Sequence, residues 1–347
     1  MISPEDEIAK NIRSSGMTIY DLIQVGDPLY WYPAPELERI LDRSLSGISL
    51  AGYPLRTRSK VVKTAVCEAL GYPVPVSFEK TRPRFPGQNF DTYAQKSHNL
   101  QVWNEELGPT RRYVVIGIDQ SDIVFRVRVV SGDTLALLDR TGTLTQKYQA
   151  RFEAGKARIE QIGNDTDLIR SALRRSLQPK RFGESPDSHA TAEAMLPMDE
   201  VLRRLSVLVG TDISAIGADQ ERNRGAELHR AACAALGYSA FADSGDFPDI
   251  RHQLVEVKLQ TSPTIDLGLV TPDSASLLDV RQLDGAQVRH CDVRYAVFYG
   301  ERAGDSVRLT DLVLTSGELF YTRFKAFGGK VLNKKLQIPL PSTFFDR

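Results

Sequence analysis

Two acidic residues and a lysine in the last third of the chain are spaced for chemistry on a phosphate. They lie in the run Asp249-Ile250-Arg251-His252-Gln253-Leu254-Val255-Glu256-Val257-Lys258. A hairpin turning between His252 and Gln253, with His252 exposed at its tip, sets Asp249 opposite Glu256. Directly opposed residues on one sheet face have Cβ atoms about 4.5–5.5 Å apart, so two carboxylates there repel unless a cation joins them. Mg²⁺ is commonly held by one or two carboxylates plus substrate phosphates, and this pair suits it. Strand alternation places Glu256 and Lys258 on one face and turns Val255, Val257 and Leu259 to the other, toward a core. Asp249 and Glu256 are therefore the expected metal ligands. A bound metal lowers the pKa of a water and neutralises charge on a phosphodiester transition state. Lys258 is placed to orient that water or to bond the developing charge.

The elements that must carry these residues are a helix and the strands after it. Leu228, Ala231, Ala232, Ala235 and Leu236 form an apolar stripe at helical spacing, and Gly237 supplies a stop. Glu227 flanks that stripe and is expected to look toward the sheet, as a further ligand or as a partner for Lys258. Asp243–Asp246 reads as a turn, and Phe247–Ile250 and Leu254–Leu259 read as strands. Helix then strands fits an α/β domain with a mixed sheet.

Pro248-Asp249, six residues, and Glu256-Val257-Lys258 resemble the signature of the PD-(D/E)xK nucleases, with Glu227 on the helix upstream. The resemblance covers about residues 221–300. It implies a restriction-endonuclease-like fold, a central mixed sheet flanked by helices, and Mg²⁺-dependent cleavage of DNA. Within that family it points to a sequence-specific type II restriction endonuclease acting on double-stranded DNA. A homodimer would supply one centre per strand, and a cognate DNA methyltransferase would accompany it. The competing readings are a structure-specific repair or junction-resolving nuclease and a non-catalytic DNA-binding module.

The chain also repeats itself. RTRSKVVKTAVCEALGY from Arg56 and RNRGAELHRAACAALGY from Arg222 match at an offset of 166, which aligns Cys67 with Cys233. FPGQNFDTYAQK from Phe85 matches FPDIRHQLVEVK from Phe247 at 162, and RYVVIG from Arg112 matches RYAVFYG from Arg294 at 182. Two tandem restriction-endonuclease-like domains follow: residues 1–170, a linker at 171–195, and a catalytic domain at 196–347. The offset of 162 pairs Asp249 with Gly87, Glu256 with Ala94 and Lys258 with Lys96, and the helix offset pairs Glu227 with Val61. The first copy is then without metal ligands and free for another task, DNA recognition or dimerisation. Arg, Asn and Gln read purine edges in the major groove, while Lys and Arg position phosphates. Arg82, Arg84, Gln88, Asn89, Lys96, Asn99, Gln101 and Asn104 are the candidates there, with Gln260 beside the catalytic strand.

Composition bounds the rest. The 347 residues are 41% hydrophobic and 25% charged, with 44 basic and 44 acidic side chains. That excludes a disordered chain and one coated in positive charge, but not a local basic cleft. Three cysteines make neither a disulfide framework nor a CxxC zinc site. The five histidines show no metal-binding spacing, and no phosphate loop of the GxxxxGK[ST] type is present. The acidic start MISPEDEIAK and the lack of a long apolar run predict a protein of the cytoplasm without a membrane segment.

Overall fold

The computed structural model describes residues 3–103, 107–138, 148–152, 158–175, 185–214, 220–241, 247–304, 306–327 and 335–346. The chain is mixed α/β and divides into two units. Unit 1 comprises Met1–Lys147, Asp279–Arg281 and Lys330–Arg347; unit 2 comprises Tyr148–Leu278 and Gln282–Gly329. No described helix is long and apolar enough to cross a membrane.

In unit 1 the helices α1 (Pro4–Ser15), α2 (Ala34–Leu45) and α3 (Leu55–Leu70) each bury one apolar stripe. From α2 these residues are Leu37, Ile40, Leu41 and Leu45. The sheet runs β1 (Phe90–Gln95), β3 (Arg112–Ile118), β4 (Val124–Ser131), with β1–β3 parallel and β3–β4 antiparallel. Between them in the chain lies β2 (Asn99–Trp103), and α4 (Gly132–Leu137) follows β4. Asp42 and Glu38 on α2 each accept a backbone N–H of the outer strand β4, from Val127 and Val129, at 2.7 Å. An edge that would otherwise present unpaired donors is thus covered.

Unit 2 opens with β5 (Tyr148–Phe152), β6 (Ile159–Ile162), α5 (Asp167–Arg175), α6 (Met198–Leu205), β7 (Asp212–Ser214) and α7 (Gln220–Leu236). Its main sheet runs β6, β11 (Ser306–Ser316), β10 (Arg294–Ala303), β8 (Val255–Gln260), with β8–β10 parallel and β10–β11 antiparallel. A smaller sheet joins β5 to β9 (Thr264–Gly268) and, past the short helix α8 (Phe320–Arg323), to β12 (Phe324–Phe327). The last strand, β13 (Lys335–Pro339), returns to unit 1 and pairs with β2.

The expected boundary is therefore corrected. Tyr148–Arg175 packs with unit 2 rather than closing the first domain, because β6 pairs in parallel with β11. Composition marks a polar linker but carries no information about such a distant pairing. Residues 176–184 of that linker lie outside the described residues.

The order helix, short turn, strand, parallel strand, antiparallel strand occurs in both units: α3, β1, β3, β4 and α7, β8, β10, β11. The hydrogen bonds repeat as well. Tyr72 N donates to Cys67 O at 2.9 Å and Tyr238 N to Cys233 O at 3.0 Å, as the helix offset of 166 requires. Both cysteines are buried, and burial pushes each thiol up to about 12. They are packing residues, since a thiol held protonated is a poor nucleophile.

A buried arginine closes each unit. Arg294 donates to Asp165 Oδ1 at 2.6 Å, to Leu196 O at 2.8 Å and to Gln253 O at 3.2 Å. Arg112 donates to Tyr32 O and Gln88 O, stacks on Trp31 at 4.1 Å and lies 3.6 Å from Asp279. Asp165 also accepts Met198 N and Asp279 accepts Ala34 N, each at 3.1 Å, at the starts of α6 and α2. Both arginines are essentially without solvent. Removing one partner of a buried pair leaves an uncompensated charge. Arg294→Ala is therefore expected to destabilise the fold by roughly 3–5 kcal/mol, read from urea unfolding at neutral pH; a loss below about 1 kcal/mol, the scale of an exposed pair, would contradict this role.

Candidate functional site

β8 is the outer strand of its sheet among the described residues, and the chain enters it through a tight reversal. The expected hairpin is instead a 3₁₀ turn, Arg251–Gln253, followed by Leu254 at φ 51°. The reversal is closed by paired bonds between Ile250 and Val255, at 2.9 and 3.1 Å. Phe247–Ile250 is accordingly not a strand; it makes a single bridge to Val255. His252 is not exposed at a tip but fully buried, with Nδ1 2.8 Å from Tyr238 Oη. The correction has a physical cause: the carbonyl of Gln253 and the amide of Gln253 are drawn inward by Arg294 and by the backbone at Ala194 and Leu196. Alternation alone cannot register that pull.

The reversal nevertheless brings Asp249, Glu256 and Lys258 together. Asp249 N donates to Glu256 Oε2 at 3.3 Å, and Lys258 Nζ lies 3.1 Å from Glu256 Oε1. Asp249 Oδ2 accepts Val257 N at 2.9 Å, so the carboxylate also caps a backbone donor of the outer strand. The Glu256 carboxylate is 12% exposed and the Lys258 side chain 21%. Val255, Val257 and Leu259 pack into the core beneath, as alternation requires. The Glu256 carboxylate thus faces the Lys258 ammonium at a half-buried place, with the Asp249 carboxylate on the backbone N–H of the residue between them. A carboxylate offers about four lone-pair sites, and the described contacts of Glu256 use two of them. The carboxylate oxygens of Asp249 and Glu256 are hard donors of the type Mg²⁺ takes.

Glu227 does not join them. Its carboxylate is 49% exposed and pairs with Arg230 at 3.6 Å, one turn along α7. Position at the flank of an apolar stripe permits either direction, and here the intrahelical partner draws the side chain outward. Among the described residues no three His, Cys, Asp or Glu side chains converge as a metal-holding group.

The expected DNA-contacting residues are spread over unit 1 and β8. Gln88 is corrected: it is buried, takes Tyr32 N on its oxygen and donates to Tyr30 O and Tyr72 Oη, so it is not available to a base. Asn89 is the left-handed residue of the turn, at φ 48°, and donates to Thr110 O. Lys96 is exposed and pairs with Asp122 at 2.8 Å. Hydrogen bonds from Arg58 and then Lys96 hold the Asp122 carboxyl down at about 2. Asn99 and Gln101 lie on β2, paired with Pro339 and Gln337. Arg82 is exposed, Arg84 half-buried, and Gln260 half-buried at the end of β8. Asn104 lies outside the described residues.

Hydrogen bonding corrects the pairing of the repeats. The bridge Phe85–Phe90 corresponds to Ile250–Val255, and Arg112 N to Asn89 O corresponds to Arg294 N to Leu254 O. Gln88 and Gln253 hold the same bonds in each unit, so the offset at the turn is 165, not 162. Arg84 N donates to Asp91 Oδ1 at 2.8 Å where Asp249 N donates to Glu256. The counterpart of Asp249 is therefore Arg84 rather than Gly87, that of Glu256 is Asp91 rather than Ala94, and that of Lys258 is Tyr93 rather than Lys96. The match of Phe85-Pro86 with Phe247-Pro248 hid this; Gln88-Asn89-Phe90-Asp91 beside Gln253-Leu254-Val255-Glu256 carries the right signal. One carboxylate of the pair thus persists in unit 1.

No family model, curated protein or solved structure matches this chain.

His290 packs behind the Asp249 turn, stacked on Phe247 with ring centroids 5.3 Å apart. Burial lowers its pKa to about 4. The folded protein holds this ring neutral, so its contribution is complete above pH 6.5 and is lost as pH falls toward 4. The loss expected is about 3 kcal/mol at most. Urea midpoints measured from pH 7 to 4 should fall more steeply for the native chain than for His290→Leu; parallel curves would refute it.

Proposed function

We propose that this protein is a Mg²⁺-dependent endonuclease of the PD-(D/E)xK class that cuts double-stranded DNA at specific sequences, in the manner of type II restriction enzymes. The observation that carries the reading is the meeting of Asp249, Glu256 and Lys258 at the start of an outer strand. Asp249 and Glu256 would hold the ion, which when bound supplies an acidified water and positive charge for a phosphodiester in hydrolysis. Asp249 is fixed for that role by its bond to Val257 N, and Glu256 by the backbone of Asp249. Lys258 keeps an ammonium against the same carboxylate, where it can donate to the attacking water or to a phosphate oxygen. Glu227 is left out of the machinery.

The repeated helix–turn–strand arrangement supports reading the chain as two restriction-endonuclease-like copies, of which unit 2 cuts. A single centre attacks one strand at a time, so double-strand cutting calls for a homodimer. A cognate DNA methyltransferase and a place in the cytoplasm go with this class of enzyme.

Asp249→Asn and Glu256→Gln keep an acceptor for Val257 N and Asp249 N while removing charge, so both are expected to fold. Incubation of plasmid and phage DNA with Mg²⁺, followed by end-sequencing of fragments, should give cuts at a fixed sequence for the native protein. Either carboxylate variant should leave no cutting, and Lys258→Ala should reduce the rate by about 10²–10⁴-fold. Intact DNA from diverse sources, modified and unmodified, would sink the proposal; cutting of branched DNA regardless of sequence would replace its specificity with that of a junction or repair enzyme.

A further inference from the structure

Unit 1 holds an inverted charge at the place where unit 2 holds its carboxylate pair. Arg84 stands for Asp249, with the same backbone bond to the acid of the following strand. Arg111 stands where unit 2 has the buried Val293, and its Nη1 lies 3.4 Å from Asp91 Oδ2. Lys63, on the inward side of α3, stands for His229 and lies over the Phe78 ring at 4.6 Å. Burial first, and then the positive charge of Arg84, lower the pKa of Lys63. Tyr93, in the place of Lys258, is stacked on Tyr113 with centroids 5.9 Å apart.

Arg84 and Arg111 both meet Asp91, the first through its backbone N–H and the second through its guanidinium, whereas in unit 2 Glu256 meets the backbone N–H of an acid, Asp249, and the ammonium of Lys258. Among the described residues neither Arg84 nor Lys63 has a carboxylate partner. A divalent ion would be repelled from this cluster, and a phosphate anion would be attracted to it. The fixed guanidinium groups supply what unit 2 would take from solution.

We propose that unit 1 binds a backbone phosphate of duplex DNA, without a divalent ion and without cleaving it, at the cluster of Arg84, Arg111 and Lys63. The proposal rests on the nuclease reading only for the choice of DNA as the source of the phosphate. It leaves Asp91 as the anchor that orients Arg111, and it gives the non-cutting unit a defined share of substrate binding.

The test is binding of the full chain to short fluorescent duplexes in EDTA, across a salt series. Arg84→Gln and Lys63→Gln should each weaken binding to every duplex sequence alike and lower the slope of log affinity against log salt by about one. Arg84→Gln is expected to fold, since its side chain holds no ion pair; circular dichroism and the unfolding midpoint verify this, and Lys63→Gln is an independent reading. Native affinity and slope in both cation variants would overturn the proposal. A protein that binds in EDTA through Arg84 yet never cuts with Mg²⁺ would instead sink the nuclease reading alone.

Discussion

The fold depends most on one arrangement: an arginine at the first residue of a central strand, buried with a carboxylate and with carbonyls from a turn and from a helix entry. Arg112 and Arg294 hold this position in their units. A guanidinium is always charged and has five donors in a fixed fork, so each carbonyl that meets it is fixed in direction as well as distance. One of those carbonyls belongs to the turn before the outer strand, Gln88 or Gln253, and another to the segment entering the following helix, Tyr32 or Leu196. The arginine thereby sets where the outer strand begins, and the residues flanking that beginning are the ones available for chemistry. Its carboxylate comes from unrelated places in the chain, Asp279 in unit 1 and Asp165 in unit 2. What has been kept is the charge at a point in space.

The amide pair Gln88 and Gln253 completes the arrangement. Each binds the same two backbone groups in the segment before the helix, at Tyr30 and Tyr32 or at Ala194 and Leu196. A buried amide is tolerable only when its hydrogen bonds are made. Here they tie turn to helix entry, and the turn carries the strain of a non-glycine residue in the left-handed region, Asn89 or Leu254. Because these contacts use backbone atoms and two buried side chains, the residues just outside the turn can change without loss of the scaffold.

Much of this was legible in the sequence, for a definable reason. The alternation of Val255, Val257 and Leu259 with Glu256 and Lys258 is a local property of a strand with one buried face, and it placed the acid and the ammonium together correctly. The repeat of helix residues around Cys67 and Cys233 likewise reflects local packing that both units need. What the sequence did not disclose are properties decided at a distance. Glu227 could turn in or out until Arg230 claimed it. Gln88 and His252 have the composition of a polar surface, and only the buried partners Tyr32, Tyr72 and Tyr238 show otherwise. The unit boundary failed for the same reason: the parallel pairing of β6 with β11 joins residues about half the chain apart.

The corrected register changes how the two units relate in chemical terms. Paired by the Phe-Pro dipeptides, unit 1 would have lost every acidic group and kept a stray lysine. Paired by hydrogen bonds, it keeps the strand carboxylate as Asp91 and exchanges the turn carboxylate for Arg84. That exchange replaces one of two anions by a positive charge and leaves the remaining acid with a partner, Arg111, close by. Deleting both acids would have left the backbone N–H at Arg84 without its acceptor. The acid on the strand therefore has a structural use of its own, since buried Asp91 accepts the backbone N–H of Arg84. In unit 2 the same bond from Asp249 N to Glu256 serves both purposes, positioning the carboxylate and holding the turn.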